Sequence, residues 1–294
     1  MIFLVAELAA LLIGFWPFLF KTKPAVRRVL RIGIVPEISV KRSIDEWDVF
    51  FKRFENEKSF KVQPYFAASS EEAVDGLKYG SLDMLYTNVG VYLTLKKRLN
   101  ARALAYQELS SEEKGQNRAV LIAGHDFRYL PQLKGKRLTL TEKNSLSGVM
   151  MPSFYLVSKL KEPLKSSFSS ISYSISHKSS LERLKAGKTD VIALNFMKYT
   201  ELLKDFPELE GDYNVVWMSQ ALPASLICAA PASPLANSDT IRNFEKSLGR
   251  IAGERRSNLK LSSKIFSPLD FEYKKELEAL EKLLNEYKDN KADE

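Results

Sequence analysis

Cysteine and histidine are almost missing from this chain: one cysteine and two histidines in 294 residues. A single thiol excludes an intrachain disulfide and a cysteine metal cluster. It lies in the apolar run Ala224-Ser225-Leu226-Ile227-Cys228-Ala229-Ala230, which reads as a buried strand carrying a core thiol. Also missing are a Gly-x-Gly-x-x-Gly loop and a Gly-Lys-Ser/Thr phosphate loop. Without these, a metal cluster or a nucleophile paired with a base, the residues argue against a hydrolase or transferase, and no cofactor is expected. The positive charges, 44 Lys+Arg against 36 Asp+Glu, are spread along the chain rather than clustered. That pattern reads as a solvated surface, and no nucleic-acid module accompanies it. The net charge of +8 would still help to attract anionic solutes.

What the chain does have begins with an apolar start. Residues 2–20 carry no charge except Glu7, so residues 1–25 are expected to be a signal peptide or a single membrane anchor. No small-x-small cleavage site follows Phe20, which favours an uncleaved anchor. Lys21, Lys23, Arg27, Arg28 and Arg31 follow the run and no Lys or Arg precedes it, a pattern that by itself would hold the following domain in the cytoplasm. The side of the membrane is therefore left open by the residues.

Beyond the anchor, strand and helix patterns alternate. Strands are predicted at 30–35, 61–66, 82–87, 136–140, 169–174, 190–194, 214–217 and 226–230, with helices between them. Segments 101–106 and 118–123 read as strands crossing between two lobes. Ser69 with Glu72 and Ser179 with Glu182 fit capping boxes. The stretch Lys78-Tyr79-Gly80-Ser81-Leu82-Asp83 is echoed by Lys185-Ala186-Gly187-Lys188-Thr189-Asp190, each after a helix and before a strand. Two similar αβ lobes with a cleft between them follow from that echo. The final helix presents Tyr273, Leu277, Leu280, Leu284 and Tyr287 on one face, for packing on a lobe.

The segment Thr141-Glu142-Lys143-Asn144-Ser145-Leu146-Ser147-Gly148 joins a predicted strand to a helix starting near Gly148. Such a turn places hydroxyls and unsatisfied backbone N–H groups at a helix N-terminus, where an anion is favoured. Other candidates for contact are Ser70 at a helix start, Tyr86 and Thr87 at the end of the third strand, Asn195 after a strand, His177 and Ser225. His125, in Gly124-His125-Asp126, reads as part of a surface turn.

Four segments in order carry a family resemblance: Arg31-Ile32-Gly33-Ile34-Val35-Pro36; Gly80-Ser81-Leu82-Asp83-Met84-Leu85-Tyr86; Leu138-Thr139-Leu140-Thr141 through Ser145-Leu146-Ser147-Gly148 and Pro152; and Ser174-Ile175-Ser176-His177. The chain resembles the phosphonate/phosphite/phosphate substrate-binding proteins of ABC transporters over about residues 30 to 250. The resemblance implies an α/β type II periplasmic-binding-protein fold, with two αβ lobes, a hinge and an interlobe ligand cleft. Residues 28–115 with 222–294 would form lobe 1, and 116–221 lobe 2. It implies a periplasmic or extracytoplasmic protein that does no chemistry and delivers a phosphorus oxyanion to an ABC permease. The alternatives are a membrane-anchored sensory module for the same ligands and, less favoured, an enzyme on the same fold. The Ser145 and Ser147 hydroxyls and the N–H groups of Leu146 and Ser147 would hold the phosphoryl oxygens, with His177 as a further donor. Where relatives that bind aminoalkyl phosphonates carry carboxylates, this chain has Met197 and Ser225; where relatives line the first-lobe wall with aromatics, it has Ser70 and Thr87, with Tyr86 adjacent. The expected ligand is phosphate, phosphite or a small alkyl phosphonate.

Overall fold

The computed structural model describes residues 28–35, 40–233, 235, 238–252 and 264–289. The expected N-terminal signal or anchor lies outside them. No helix among the described residues is long and apolar enough to cross a membrane.

The chain builds a first αβ lobe, crosses to a second, and returns. The outward path lays down β1 (Arg28–Ile34), β2 (Phe60–Phe66), β3 (Met84–Thr87) and β4 (Arg102–Gln107), with α1 (Val40–Lys52), α2 (Ser70–Lys78) and α3 (Val89–Leu99) between them. After α4 (Ser111–Gln116), the second lobe contains β5 (Arg118–Gly124), β6 (Arg137–Leu140), β7 (Ser170–Tyr173), β8 (Val191–Asn195) and β9 (Tyr213–Ala221). Its helices are α5 (Met151–Leu160), α6 (Leu164–Ser167), α7 (His177–Lys185) and α8 (Phe196–Leu203). The return adds β10 (Leu226–Ala229), α9 (Asp239–Ala252), β11 (Phe266–Pro268) and α10 (Phe271–Asp289) to the first lobe.

The first sheet has the order β11-β4-β10-β3-β1-β2 and the second β7-β6-β8-β5-β9. In each, three parallel strands (β2-β1-β3 and β7-β6-β8) are followed by a strand running the other way, β10 or β5. Pro64 is accommodated because β2 pairs only with β1 and lies at the sheet edge. The sequence echo is a shared turn. Gly80 and Gly187 take φ of 76° and 64°, which glycine adopts at little cost, and each leads to an aspartate. Asp83 accepts from Arg31 N and Nε at 2.8 and 3.1 Å; Asp190 accepts from Arg137 N and Nε at 2.8 and 2.9 Å.

Both faces of each sheet are covered. Leu30, Ile32 and Ile34 of β1 point to the side packed by Trp47, Phe50, Phe244 and Phe266. The other side of that sheet holds Leu77, Leu85, Cys228, Tyr273, Leu277, Leu280 and Leu284, so α10 does pack on the first lobe. Burial pushes the Cys228 thiol up to about 12, in keeping with a core residue.

Three expectations change. Strands β4 and β5 do not cross between lobes; each stays in its own sheet, and the crossing is made by residues 108–117, where Ser110 caps α4. Helix α7 starts three residues earlier than predicted, because Ser176, not Ser179, is the N-cap and Ser179 closes the box. At Ser69 the cap is one-sided: its hydroxyl accepts from Glu72 N, but the Glu72 carboxylate reaches Ala68 N.

Candidate ligand-binding site

In open αβ sheets the ligand crevice lies beyond the carboxyl ends of the parallel strands. Each predicted site residue but Ser225 lies at or beyond such an end. Ser70 follows β2, Tyr86 and Thr87 finish β3, Ser145 to Ser147 follow β6, His177 follows β7 and Asn195 ends β8; Ser225 leads into β10, beside β3. All nine face two adjoining cavities between the lobes, of ≈ 100 and ≈ 120 Å³, which share Tyr86, Asn88, Ser145, His177 and Ser225. Leu146, Ser147 and Asn195 line the first, Ser70 and Thr87 the second. A larger cavity of ≈ 320 Å³ lies between the hinge and α10, away from the serine loop and His177.

The serine loop opens a helix. Ser145 is the N-cap, in extended backbone, and its hydroxyl accepts from Gly148 N at 3.0 Å. The first turn, Leu146–Met150, is a π-helical one that runs on into α5, with Met150 N bonded to Ser145 O at 3.0 Å. Among the described residues, the N–H groups of Leu146 and Ser147 and the Ser147 hydroxyl have no partner within hydrogen-bond distance. Gly148 fixes the geometry: a Cβ there would stand 1.7 Å from Thr141 Oγ1. That Thr141 hydroxyl is buried and has no partner among the described residues. The first lobe closes tightly on this loop, since a Cβ on Gly90 would lie 2.6 Å from Asn144 O. His177 is the first residue of α7, half-buried, one position after the Ser176 cap.

The first-lobe wall is more committed. Ser70 donates its hydroxyl to the Glu142 carboxylate across the cleft. Tyr86 is 7% exposed, donates to Gln107 Oε1 at 2.6 Å, and stands edge-on to Trp47 with ring centroids 4.9 Å apart. Asn88 caps α3 through Val91 N at 3.2 Å.

Asn195 lines the cavity, yet its side chain serves the hinge as well. It donates to Asn117 Oδ1 at 2.8 Å and accepts from Lys198 N at 3.3 Å. Asn117 in turn donates to Leu222 O at 2.9 Å, and its own carbonyl accepts from Leu222 N at 2.8 Å. The end of β8 is thus tied to both crossing segments. Sequence reasoning missed Asn117 and Gln107, and also Lys198 and Lys264, which line the same cavity. No local pattern marks them; Lys264 reaches the site only because the return segment adds β11 beside β4.

A cleft between two αβ lobes joined by two crossings defines the type II periplasmic-binding-protein fold. The chain matches the family described as ABC transporter, phosphonate, periplasmic substrate-binding protein over residues 32–269, and it belongs to that family. It is 22% identical over 234 residues to the phosphonates-binding periplasmic protein of Escherichia coli (strain K12), covering 78% of this chain and 68% of that one. Among solved structures, it is similar to a binding protein component of an ABC phosphonate transporter from Pseudomonas aeruginosa (TM-score 0.71, 19% identity, 88% of each chain). It is also similar to a Prochlorococcus marinus (MIT 9301) protein in complex with methylphosphonate (TM-score 0.70, 17% identity, 90% of this chain and 98% of that one). At these identities the solved structures speak for the fold. The family and these relatives are transport binding proteins, not enzymes.

Proposed function

We propose that the chain binds a phosphorus oxyanion (phosphate, phosphite or a small phosphonate) in the interlobe cleft and hands it to an ABC permease. The observation that carries this is the serine loop: two N–H groups and a hydroxyl without partners among the described residues, at a helix start beside His177. Their hydrogen bonds to a charged phosphoryl group, each worth about 1.5–3 kcal/mol, offset the cost of taking the anion out of water. In this reading Ser145, Leu146, Ser147 and His177 hold the phosphoryl oxygens, while Ser70, Tyr86, Thr87, Asn195 and Ser225 shape the remaining wall. Met197 and Ser225 both line the cavity and bring no charge to it, which supports a ligand without an ammonium group.

The test is a thermal-shift screen of the full chain with phosphate, phosphite, methylphosphonate, 2-aminoethylphosphonate and sulfate. A strong upward shift with a phosphorus oxyanion is expected, since a ligand that binds only the folded state raises its melting temperature. No shift with any of them would defeat the reading, and a shift with 2-aminoethylphosphonate alone would reverse the ligand preference.

A further inference from the structure

The serine loop and His177 line the second-lobe side of the first cavity, and the first-lobe wall carries a donor that this reading leaves unused. Three buried amide side chains line that cavity: Gln107, Asn117 and Asn195. Two of them are spent on the hinge. Asn195 donates to Asn117 Oδ1 at 2.8 Å and accepts from Lys198 N, and Asn117 donates to Leu222 O at 2.9 Å. Gln107 differs. It is 9% exposed, and its Oε1 accepts from the Tyr86 hydroxyl at 2.6 Å. That bond orients the amide, since an oxygen turned toward Tyr86 points the two N–H donors of Nε2 another way. Among the described residues Nε2 has no partner, yet it is not sealed in protein as the Thr141 hydroxyl is. Strand alternation shows where the side chain points. Gln107 ends β4 opposite Phe266 of β11, on the face that carries Tyr86, whereas its neighbour Tyr106 stacks on Tyr273 beneath α10. The amide therefore turns away from the cavity beside α10 and toward Tyr86 and the interlobe cleft. A nearly buried amide nitrogen without a partner is costly, and an acceptor supplied by the ligand would remove that cost.

We propose that Gln107 is a binding residue of the first lobe. Its Nε2 donates to an oxygen of the anion that the serine loop holds from the second lobe, and Tyr86 is a positioning residue that keeps the amide turned that way. The inference rests on the phosphorus-oxyanion reading and deepens it. It is tested by calorimetry on the full chain with phosphate, phosphite and methylphosphonate, for the natural protein, Gln107→Met, Tyr86→Phe and the double variant. Methionine keeps the length of the side chain and removes the donors. Gln107→Met is expected to weaken binding about 10- to 100-fold, the range of one hydrogen bond to a charged group. Tyr86→Phe keeps the ring against Trp47 and frees the amide to rotate. It is expected to weaken binding by a smaller factor, and to add nothing further in the Gln107→Met background. Unchanged binding in Gln107→Met overturns the inference, the amine then serving water alone. So do independent, multiplying losses from the two substitutions, because Tyr86 would then meet the ligand itself. If Gln107→Met fails to fold, Tyr86→Phe, which removes a single oxygen, decides: weaker binding upholds the inference and unchanged binding overturns it. In each of these outcomes the natural protein binds and the phosphorus-oxyanion reading stands. Absence of binding of all three anions by the natural protein sinks that reading as well.

Discussion

Each lobe pins an aspartate beneath an arginine of its first parallel strand, Asp83 under Arg31 and Asp190 under Arg137, but the two settings differ. Asp83 is fully buried and also accepts from Ser233 at 2.7 Å. The Asp190 side chain is 22% exposed, and the Arg137 guanidinium holds its carboxyl below the usual range. The cleft walls show the same contrast. Two polar side chains of the first-lobe wall are answered by protein, Ser70 by Glu142 and Tyr86 by Gln107, whereas the Leu146 and Ser147 donors of the second-lobe loop have no partner among the described residues. The difference teaches a division of labour: in the proposed reading, the second-lobe loop supplies donors that meet the anion.

The sharpest way to break this contrast is Asp83→Ala. Asp83 is buried while the Arg31 side chain is 41% exposed, and removing the carboxylate leaves Arg31 N and the Ser233 hydroxyl unanswered at about 1–3 kcal/mol each, so urea unfolding should show a large loss of stability. Gly148→Ala comes next. The collision with Thr141 should cost about 1–3 kcal/mol in the same measurement and abolish anion binding by displacing the loop. Ser147→Ala should leave stability nearly unchanged and weaken phosphoryl binding about 10- to 100-fold by calorimetry. Ser70→Ala should weaken it much less, because that hydroxyl serves Glu142; equal effects would erase the distinction between the walls. Asp190→Asn should have the smallest effect, about 1 kcal/mol. Its sign with pH follows from the lowered carboxyl: the contribution is complete above the ordinary carboxylate value of about 4 and fades as pH falls through the lower folded value. The natural protein and the variant should therefore converge in stability at low pH.

Much of this was legible in the sequence because it is local. A Gly at positive φ before an aspartate, a serine at a helix start and an apolar alternation all act over a few residues, so the two lobes and the serine loop could be read directly. What could not be read depends on distant packing. Asn195 looks like a ligand residue until Asn117, on the first crossing, is seen to hold it. Ser70 looks available until Glu142 arrives from the other lobe. Lys264 has no motif around it and joins the site only through the return of the chain. The π-helical turn also escapes pattern reading, since the weak helix formers Gly148 and Val149 do not specify a π turn; the close approach of Gly148 to Thr141 is a tertiary event.

Leu146 and Met151 of the second lobe share one buried cluster with Val89, Tyr92, Leu222 and Tyr273, beside the crossings. In a lever, the parts next to the fulcrum travel least. The serine loop sits at that short arm. Rotation of one lobe against the other would then carry the loop hardly at all. In the proposed reading, the grip on the anion would be set beside the fulcrum and would change little as the cleft opens.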